Sequence, residues 1–252
     1  MDNDSFDLYD GLDGSPIVVD PDDAPLTALS FDEEMTVIYR ESRQLFTQGL
    51  LAKVIDDIAR HTDLFQATSD GKIFEVYCLL ERTTNPNIRD PRGRTPLLLA
   101  CQEGHYNVAR LLLVHRAKLF LTDDEQLSPL HWAARGGHTD VVRLLLEHGD
   151  HPNREDRQGR TPLWWAAERD RALVAELLLT HGATVDQRDK TGTTPLHRAC
   201  AQNYYWTAVL LIRNGANVAK MNRAGQTAGC IAAARGFEPL VAVLHRARYQ
   251  NM

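Results

Sequence analysis

Apolar and polar positions recur along this chain with a long period. A Thr or Ser followed by Pro and Leu begins at positions 95, 128, 161 and 194. Thr227-Ala228-Gly229 continues the series and Thr62-Asp63-Leu64 precedes it, so that each step is 33 residues. Self-similarity at a period of this length predicts a stack of repeats, in which each unit buries its apolar face against the next.

Within each period the residues predict two helices. The Thr or Ser oxygen caps a helix N-terminus, and Pro in the first helical position gives up an N–H that has no intrahelical partner. Leucine triplets at 111–113, 144–146 and 177–179 predict the buried stripe of a second helix. These second helices are expected to end in the left-handed conformation at Gly149, Gly182 and Gly215.

Two of the repeats carry a more specific signature. Ser-Pro-Leu-His-Trp-Ala-Ala at 128–134 and Thr-Pro-Leu-His-Arg-Ala at 194–199 resemble the motif of ankyrin repeats. The resemblance extends over residues 62–252 and implies an all-α ankyrin-repeat solenoid. Each unit is then a β-turn finger, a first helix, a tight turn and a second helix.

The domain organisation follows from this period. Residues 1–30 are rich in Asp, Gly and Pro and predict a disordered, acidic head. Residues 31–61 carry apolar stripes at helical spacing and are expected to form helices that cap the stack, because a solenoid needs a covered end. The repeats are placed at 62–94, which is degenerate, 95–127, 128–160, 161–193 and 194–226, with a C-terminal cap at 227–252.

Three local expectations depend on equivalent positions in different repeats. We call a set of positions separated by multiples of 33 residues a column. His131 and His197 follow the capping residue by three positions and are expected to bond its hydroxyl. Trp164 replaces this histidine, so its repeat is expected to lose one capping hydrogen bond. Gln126 replaces the glycine of the other fingers and is expected to alter its finger locally, because that turn needs a positive φ.

Composition agrees with a folded protein inside the cell. The 252 residues are 43% hydrophobic, which is enough apolar material for a continuous core. Apolar runs are far too short to span a bilayer, and no secretory signal is apparent. Cys101 and Cys200 share a column with alanines and are expected to be buried and reduced. We therefore expect a cytoplasmic or nuclear protein without membrane association.

Charge is distributed unevenly along the chain. Residues 1–34 hold 11 of the 34 acidic residues and no Lys or Arg, which leaves 23 acidic against 28 basic residues in the remainder. Aspartates in the head alternate with apolar residues, which resembles an activation or docking segment; a solubilising tail is the alternative. A further hypothesis is that the head competes with an acidic partner for the basic repeats.

The resemblance to ankyrin repeats also implies a binding site. Such proteins usually bind partners on a concave face built from finger tips and first helices, and those columns are mostly basic here. The arginine fork donates two parallel hydrogen bonds to a carboxylate or phosphate, so a partner protein with an acidic segment is expected; an ordinary charged surface is the alternative. The predicted binding residues are Arg92, Arg94, Arg135, Arg157, Arg160, Arg169, Lys190, Arg223 and Arg235.

An aromatic group offers a second candidate. Tyr205 and Trp206 are placed in a turn between helices, and Leu173 and Pro239 occupy the same position in neighbouring repeats. Together these side chains predict an exposed apolar anchor for a partner. The alternative is that the rings fold back onto the stack.

Catalytic and metal chemistry find little support in the sequence. No close Cys/His set has zinc-ligand spacing, and His148 with His151 is the best local histidine pair. No phosphate-binding loop or nucleophile elbow is present. We therefore predict no catalytic residue, no metal and no cofactor.

The leading functional prediction is a non-catalytic protein–protein interaction scaffold or adaptor. The alternative is a transcriptional co-regulator, whose acidic head recruits other factors while the repeats bind a DNA-binding protein. Direct binding of nucleic acid is a weaker alternative, because the whole chain is acidic and carries no nucleic-acid-binding motif. The identity of the partner and the oligomeric state stay open.

Overall fold

The computed structural model describes residues 63–82 and 85–250, together with residues 36, 40, 53, 54 and 56–58. The chain divides into two compact units, residues 1–45 and 46–252. In the first unit the described residues are Thr36 and Arg40, both helical. The acidic head 1–30 and most of the capping segment 31–61 lie outside the described residues, so these boundaries stay predictions.

Paired helices make up the described part of the second unit. In every pair an inner helix follows the capping turn and an outer helix follows the inner one. The inner helices are α1 (Leu64–Ser69), α3 (Pro96–Glu103), α5 (Pro129–Gly136), α7 (Pro162–Glu168), α9 (Pro195–Ala201) and α11 (Ala228–Ala234). The outer helices are α2 (Ile73–Glu81), α4 (Tyr106–Val114), α6 (Thr139–Glu147), α8 (Ala172–Thr180), α10 (Tyr205–Arg213) and α12 (Glu238–Gln250).

The helix pairs stack in chain order. Each inner helix packs against the inner helix of the next pair, and each outer helix against the next outer helix. The leucine that follows the proline of each capping turn is fully buried at Leu97, Leu130, Leu163 and Leu196. Because each pair covers the apolar face of its neighbour, the stack has one continuous core, and the predicted all-α solenoid is confirmed.

Capping residues start the inner helices as the sequence predicts. Thr95, Ser128, Thr161, Thr194 and Thr227 are extended, and each side-chain oxygen accepts a hydrogen bond from the backbone N–H three residues later. In the first pair Asp63 caps α1 instead, with an oxygen 2.5 Å from the Phe65 nitrogen. The helix therefore begins one residue later there than the period predicts.

Fingers connect each outer helix to the next inner helix and lie side by side along one edge. Backbone hydrogen bonds join neighbouring fingers: Arg157 donates to the Glu125 carbonyl at 3.0 Å, and Lys190 donates to the Gln158 carbonyl at 2.9 Å. Arg223 donates in the same way at 3.0 Å to the next carbonyl along the edge. These bonds fix the spacing of the fingers independently of their side chains.

The histidine expectations are confirmed. Nδ1 of His131 lies 2.8 Å from the Ser128 hydroxyl, and its Nε2 lies 3.0 Å from the Arg160 carbonyl in the next finger. His197 makes the equivalent pair of contacts, with Thr194 at 2.7 Å and with a carbonyl of the next finger at 3.1 Å. Each histidine therefore links the cap of its own helix to the following repeat.

Two substituted positions behave differently from each other. Trp164 has no ring contact to Thr161, and its indole Nε1 is buried without a hydrogen-bond partner, so the predicted loss of a capping bond is confirmed. The expectation of an altered finger at Gln126 is wrong. Its φ is +62°, close to the +76° of Gly159, and the finger keeps the turn bond from Gln126 to the Asp123 carbonyl at 3.0 Å.

Candidate partner-binding face

Finger tips and inner helices form one face of the stack, and the predicted basic residues belong to it in different ways. Arg92, Arg157, Lys190 and Arg223 lie on the fingers and are exposed. Arg157 approaches Glu125 of the neighbouring finger at 3.5 Å, with more than half of both side chains exposed. An exposed pair of this kind contributes little to stability, so these side chains are available to a partner.

Arg94 and Arg160 are held within their own fingers. Arg94 Nε donates to Asp90 at 2.8 Å, and Arg160 Nε donates to Asp156 at 2.7 Å. Burial alone would raise the pKa of Asp90, but hydrogen bonds from Arg94 outweigh it and hold that pKa below its usual range. Part of the hydrogen-bonding capacity of both guanidinium groups is therefore used inside the fold.

Arg160 also lies between two indole rings of α7. Its guanidinium carbon is 4.3 Å from the ring centroid of Trp165 and 5.3 Å from that of Trp164. The two rings meet edge to face with centroids 5.3 Å apart. A cation over an indole face is stabilised by the ring's charge distribution, and more strongly where water is partly excluded.

The same pattern continues into both neighbouring repeats. Arg135 on α5 lies 5.2 Å from the Trp132 ring and 4.8 Å from the Trp165 ring. Arg198 on α9 lies 5.1 Å from the Trp164 ring. Guanidinium groups and indoles therefore alternate across three inner helices, and we call this set the arginine–tryptophan ladder: Trp132, Arg135, Trp165, Arg160, Trp164 and Arg198.

Carboxylates hold most of the ladder in place. Asp156 accepts from Trp165 Nε1 at 3.1 Å as well as from Arg160, and Glu168 accepts from Arg198 Nε at 2.6 Å. Trp132 Nε1 donates to a finger aspartate, Asp123, at 3.0 Å. The ladder is thus preorganised rather than a set of mobile side chains: Trp164 and Trp165 are buried, while Trp132 and the three arginines are partly exposed.

Arg135 differs from the other two arginines of the ladder. Among the described residues no carboxylate pairs with it. Burial lowers the pKa of Arg135, and the positive charges of Arg169 and Arg160 lower it further, while Glu168 opposes them. Its guanidinium is therefore a partly buried cation that faces other cations.

The remaining predicted residues lie at helix ends or on another surface. Arg169 is exposed at the end of α7, and Arg235, after α11, donates to the Ala201 carbonyl of the preceding inner helix. Tyr205 and Trp206 belong to the first turn of outer helix α10 rather than to the turn before it. They therefore do not share the face that carries the arginines.

The aromatic candidate is partly exposed. Trp206 is 57% exposed and Leu173, at the same position of α8, is 63% exposed. Tyr205 is half-buried, and its ring meets the Trp206 ring edge to face at 5.2 Å. The rings contact each other but leave an apolar surface uncovered on the outer helices.

The sequence interpretation did not include Arg198 or the ladder tryptophans among the site residues. A signal was present, because Trp132, Trp165 and Arg198 all stand four residues after their capping residue. That shared column places them side by side on successive inner helices. The pairing of Trp164 with two arginines has no counterpart in the period, since it depends on side-chain conformation.

Metal-ligand geometry is absent from the residues that the structure describes, where no group of three or more His, Cys, Asp or Glu side chains converges. His148 Nδ1 lies 2.8 Å from the Leu144 carbonyl, and His151 Nδ1 accepts from Asn153, so the two histidines serve separate local contacts. Burial raises the pKa of Cys200 to about 12, which suits an inert thiol. Within the described residues, no helix has the length and apolar character that a membrane span requires.

Comparisons with known proteins agree with this geometry. A family model described as ankyrin repeats (3 copies) matches residues 64–156 and 151–222. A stretch of 64 residues, 25% of this chain, is 38% identical to the probable E3 ubiquitin-protein ligase XBOS32 of Oryza sativa subsp. japonica. The match covers 13% of the rice protein's length, so ligase activity does not carry over to this chain.

Proposed function

Because this chain belongs to the ankyrin repeat family, whose repeats bind other proteins, we propose that it is a non-catalytic scaffold or adaptor. Its partner binds the face made of finger tips and inner helices. The arginine–tryptophan ladder is the observation that carries this proposal, because it holds three partly exposed guanidinium groups and the partly exposed Trp132 ring in fixed positions on that face. Tryptophan and arginine are the residues most enriched among those that dominate binding energy at protein interfaces.

The energetics of the stack favour binding on this face. Inner helices and fingers are held by buried leucines and by backbone hydrogen bonds between fingers. A partner therefore meets side chains that are already ordered, and little conformational entropy is lost on association. Exposed arginines and a lysine on four fingers add positive charge to the face, although the finger at 123–127 carries exposed Asp124 and Glu125. The excess of positive charge favours an acidic partner and accelerates its approach.

A charge-reversal variant tests which face the partner uses. Arg157, Arg169 and Lys190 are exposed on the proposed face, and changing all three to Glu should leave the fold intact. Partners recovered with the tagged full-length chain, quantified by mass spectrometry, are expected to fall about tenfold or more, because each reversal places like charges against an acidic segment.

A matched control carries the same charge change on the outer helices. Arg143, Arg213 and Arg246 are exposed there, and their replacement by Glu is expected to leave the recovered partners unchanged. Loss of partners in the control and retention in the face variant would overturn the proposal. Equal loss in both would show that net charge, and not this face, governs the interaction.

The acidic head favours a second candidate, a transcriptional co-regulator in the nucleus. Its aspartates alternate with Phe6, Leu8, Tyr9 and Leu12, a composition typical of activation segments. The full chain fused to a DNA-binding domain should activate a reporter, and replacement of those four apolar residues by Ser should abolish activation. A fusion that gives no activation would leave the adaptor without a transcriptional role.

A further inference from the structure

Charge pairing along the arginine–tryptophan ladder is incomplete at one position. Arg160 and Arg198 each have a carboxylate partner, at 2.7 Å and 2.6 Å. Arg135 has indole rings near it but no ion pair within the described residues, and Arg169 beside it has none there either. The two unpaired cations belong to adjacent repeats, on α5 and at the end of α7.

A partly buried guanidinium without an anion is costly to maintain. Desolvation weakens its hydration, and neighbouring positive charge adds repulsion that no described carboxylate cancels at hydrogen-bond distance. The attraction of an anion bound there would offset both penalties. Arg135 is therefore where an acidic ligand gains most on this face.

The surroundings of Arg135 indicate the form that such a ligand can take. Trp132 and Trp165 lie within 5.2 Å of the guanidinium carbon, and the guanidinium N–H groups form no hydrogen bond within the described residues. The parallel N–H donors of the fork are therefore left for a ligand. A carboxylate matches that edge with two parallel N–H···O bonds in one plane.

We propose that Arg135 is the subsite that receives the carboxylate of a Glu or Asp side chain from a partner protein, with Arg169 as the supporting cation. This inference rests on the proposed function and names the residue of the partner that the face selects. The methylenes of the acidic side chain pack against the Trp132 ring, which is only partly buried. Arg160 acts as a positioning residue, because its guanidinium lies 4.3 Å from the ring of Trp165, one of the two indoles that contact Arg135.

Short random peptides displayed on phage and selected on the full-length chain provide the probe. The selected peptides are expected to share one acidic residue at a fixed position. Replacing that residue by Gln in a synthetic peptide should weaken binding to the unmodified chain about tenfold. Isothermal titration calorimetry measures each affinity.

A double-mutant cycle connects that acidic residue to Arg135. In Arg135→Gln the peptide should bind about tenfold more weakly, and the Glu-to-Gln change in the peptide should then have no further effect. Arg135→Lys keeps the charge and is expected to lose most of the affinity too, because the ammonium lacks the fork. Arg143→Gln, in the same repeat but on the outer helix, is the control and should bind as the unmodified chain does. Thermal unfolding of each variant verifies that it is folded.

The outcomes separate this inference from the proposed function. Peptides that bind and depend on Arg169 or Lys190, but show no coupling to Arg135, overturn the subsite and leave the binding face in place. A selection in which no peptide binds this face overturns both. A peptide with phosphoserine in place of the shared acidic residue is also compared. If it binds about tenfold more tightly than the Glu peptide, and only when Arg135 is present, the carboxylate assignment is overturned in favour of a phosphorylated partner. The last outcome concerns the chain's own head. If changing the head aspartates to Asn tightens peptide binding, and if Arg135→Gln abolishes this gain, the ligand of Arg135 is the head and not a partner.

Discussion

The repeats at 128–160 and 161–193 begin with the same capping turn and differ three residues after the cap. In the first, His131 joins its own cap to the carbonyl of Arg160 in the next finger. In the second, Trp164 makes neither contact and leaves its indole Nε1 without a partner. The stack therefore tolerates the loss of one link between repeats, and the position where the link is missing lies within the arginine–tryptophan ladder.

This difference shows how a repeat can exchange hydrogen bonds for ring packing without leaving the fold. The histidine contributes hydrogen bonds that every repeat can use, whereas the tryptophan contributes ring surface next to Arg160 and Arg198. Packing of the indole offsets the missing bonds, since Trp164 is almost completely buried. The same position thus stabilises neighbouring repeats in two ways, by hydrogen bonds at His131 and by packing at Trp164.

Substitution by phenylalanine should have unequal effects in the two repeats. His131→Phe removes the bonds to Ser128 and to the Arg160 carbonyl and leaves both groups buried, so the free energy of unfolding is expected to fall by about 3 kcal/mol. Trp164→Phe keeps an aromatic ring and removes an unpaired N–H, but it also removes part of the buried indole and leaves a small cavity, so it should cost about 1.5 kcal/mol. Urea unfolding of the two variants measures both values, and equal losses would contradict the comparison.

Acid should reduce the contribution of His131 but not that of Trp164. Burial lowers the pKa of His131 from 6.5 to about 4. Between these values the unfolded chain binds more protons than the folded chain, so stability rises with pH over this window and is lost as pH falls through it. The unmodified chain should lose about 2 kcal/mol at this residue between pH 7 and pH 5.

His131→Phe lacks this loss, so the gap between the variant and the unmodified chain should narrow at pH 5, whereas the gap for Trp164→Phe should stay constant. Burial also lowers the pKa of His197, and its effect is common to all three proteins. A gap for His131→Phe that does not change with pH would show that this histidine is not buried in its neutral form.

Asp150 marks a second difference between the two repeats, with a smaller expected effect. Its side chain is buried with one carboxylate oxygen unpartnered, while Ala183 stands at the same position in the next repeat. Burial raises the pKa of Asp150, against the opposing charge of Arg154. Asp150→Ala is therefore expected to stabilise the chain by about 1 kcal/mol at pH 7.

The folded Asp150 carboxyl holds its proton to higher pH than the unfolded one, so its penalty is present above its raised pKa and disappears as pH falls through that pKa towards 3.8. The gain from Asp150→Ala should shrink accordingly in acid. Asp156→Ala is the matched control and should destabilise, because Asp156 accepts from Arg160 and Trp165. Destabilisation by Asp150→Ala would contradict the comparison.

The periodic part of the structure could be predicted from the sequence because the determining signals are local. A capping residue, a proline and a leucine triplet specify where helices begin and which side is buried. Gln126 shows the limit of local reasoning: its φ of +62° would be unfavourable in isolation. The finger keeps that conformation because Asp124 donates to the Arg92 carbonyl of the neighbouring finger and the Asp123 carboxylate accepts from Leu127.

The candidate site could be predicted only in part. Family columns placed Arg135 on an inner helix and Arg157 on a finger, as the structure has them. They could not show that Arg94 and Arg160 donate hydrogen bonds to aspartates of their own fingers. The column that Arg198 shares with Trp132 and Trp165 can be read from the sequence, but its contact with the Trp164 ring of the preceding repeat cannot. Contacts between side chains of different repeats depend on conformations that no single repeat encodes.

The backbone bonds between fingers have a consequence for how this surface can change over time. Each finger is tied to the next through main-chain atoms, such as the Lys190 nitrogen and the Gln158 carbonyl, so an inserted or deleted residue would break the alignment on both sides. Side chains at the tips are free of that constraint. New binding specificities are therefore most accessible by single substitutions of finger-tip side chains, with the spacing between fingers unchanged. A partner that spans several repeats must present its own contacts at the same spacing.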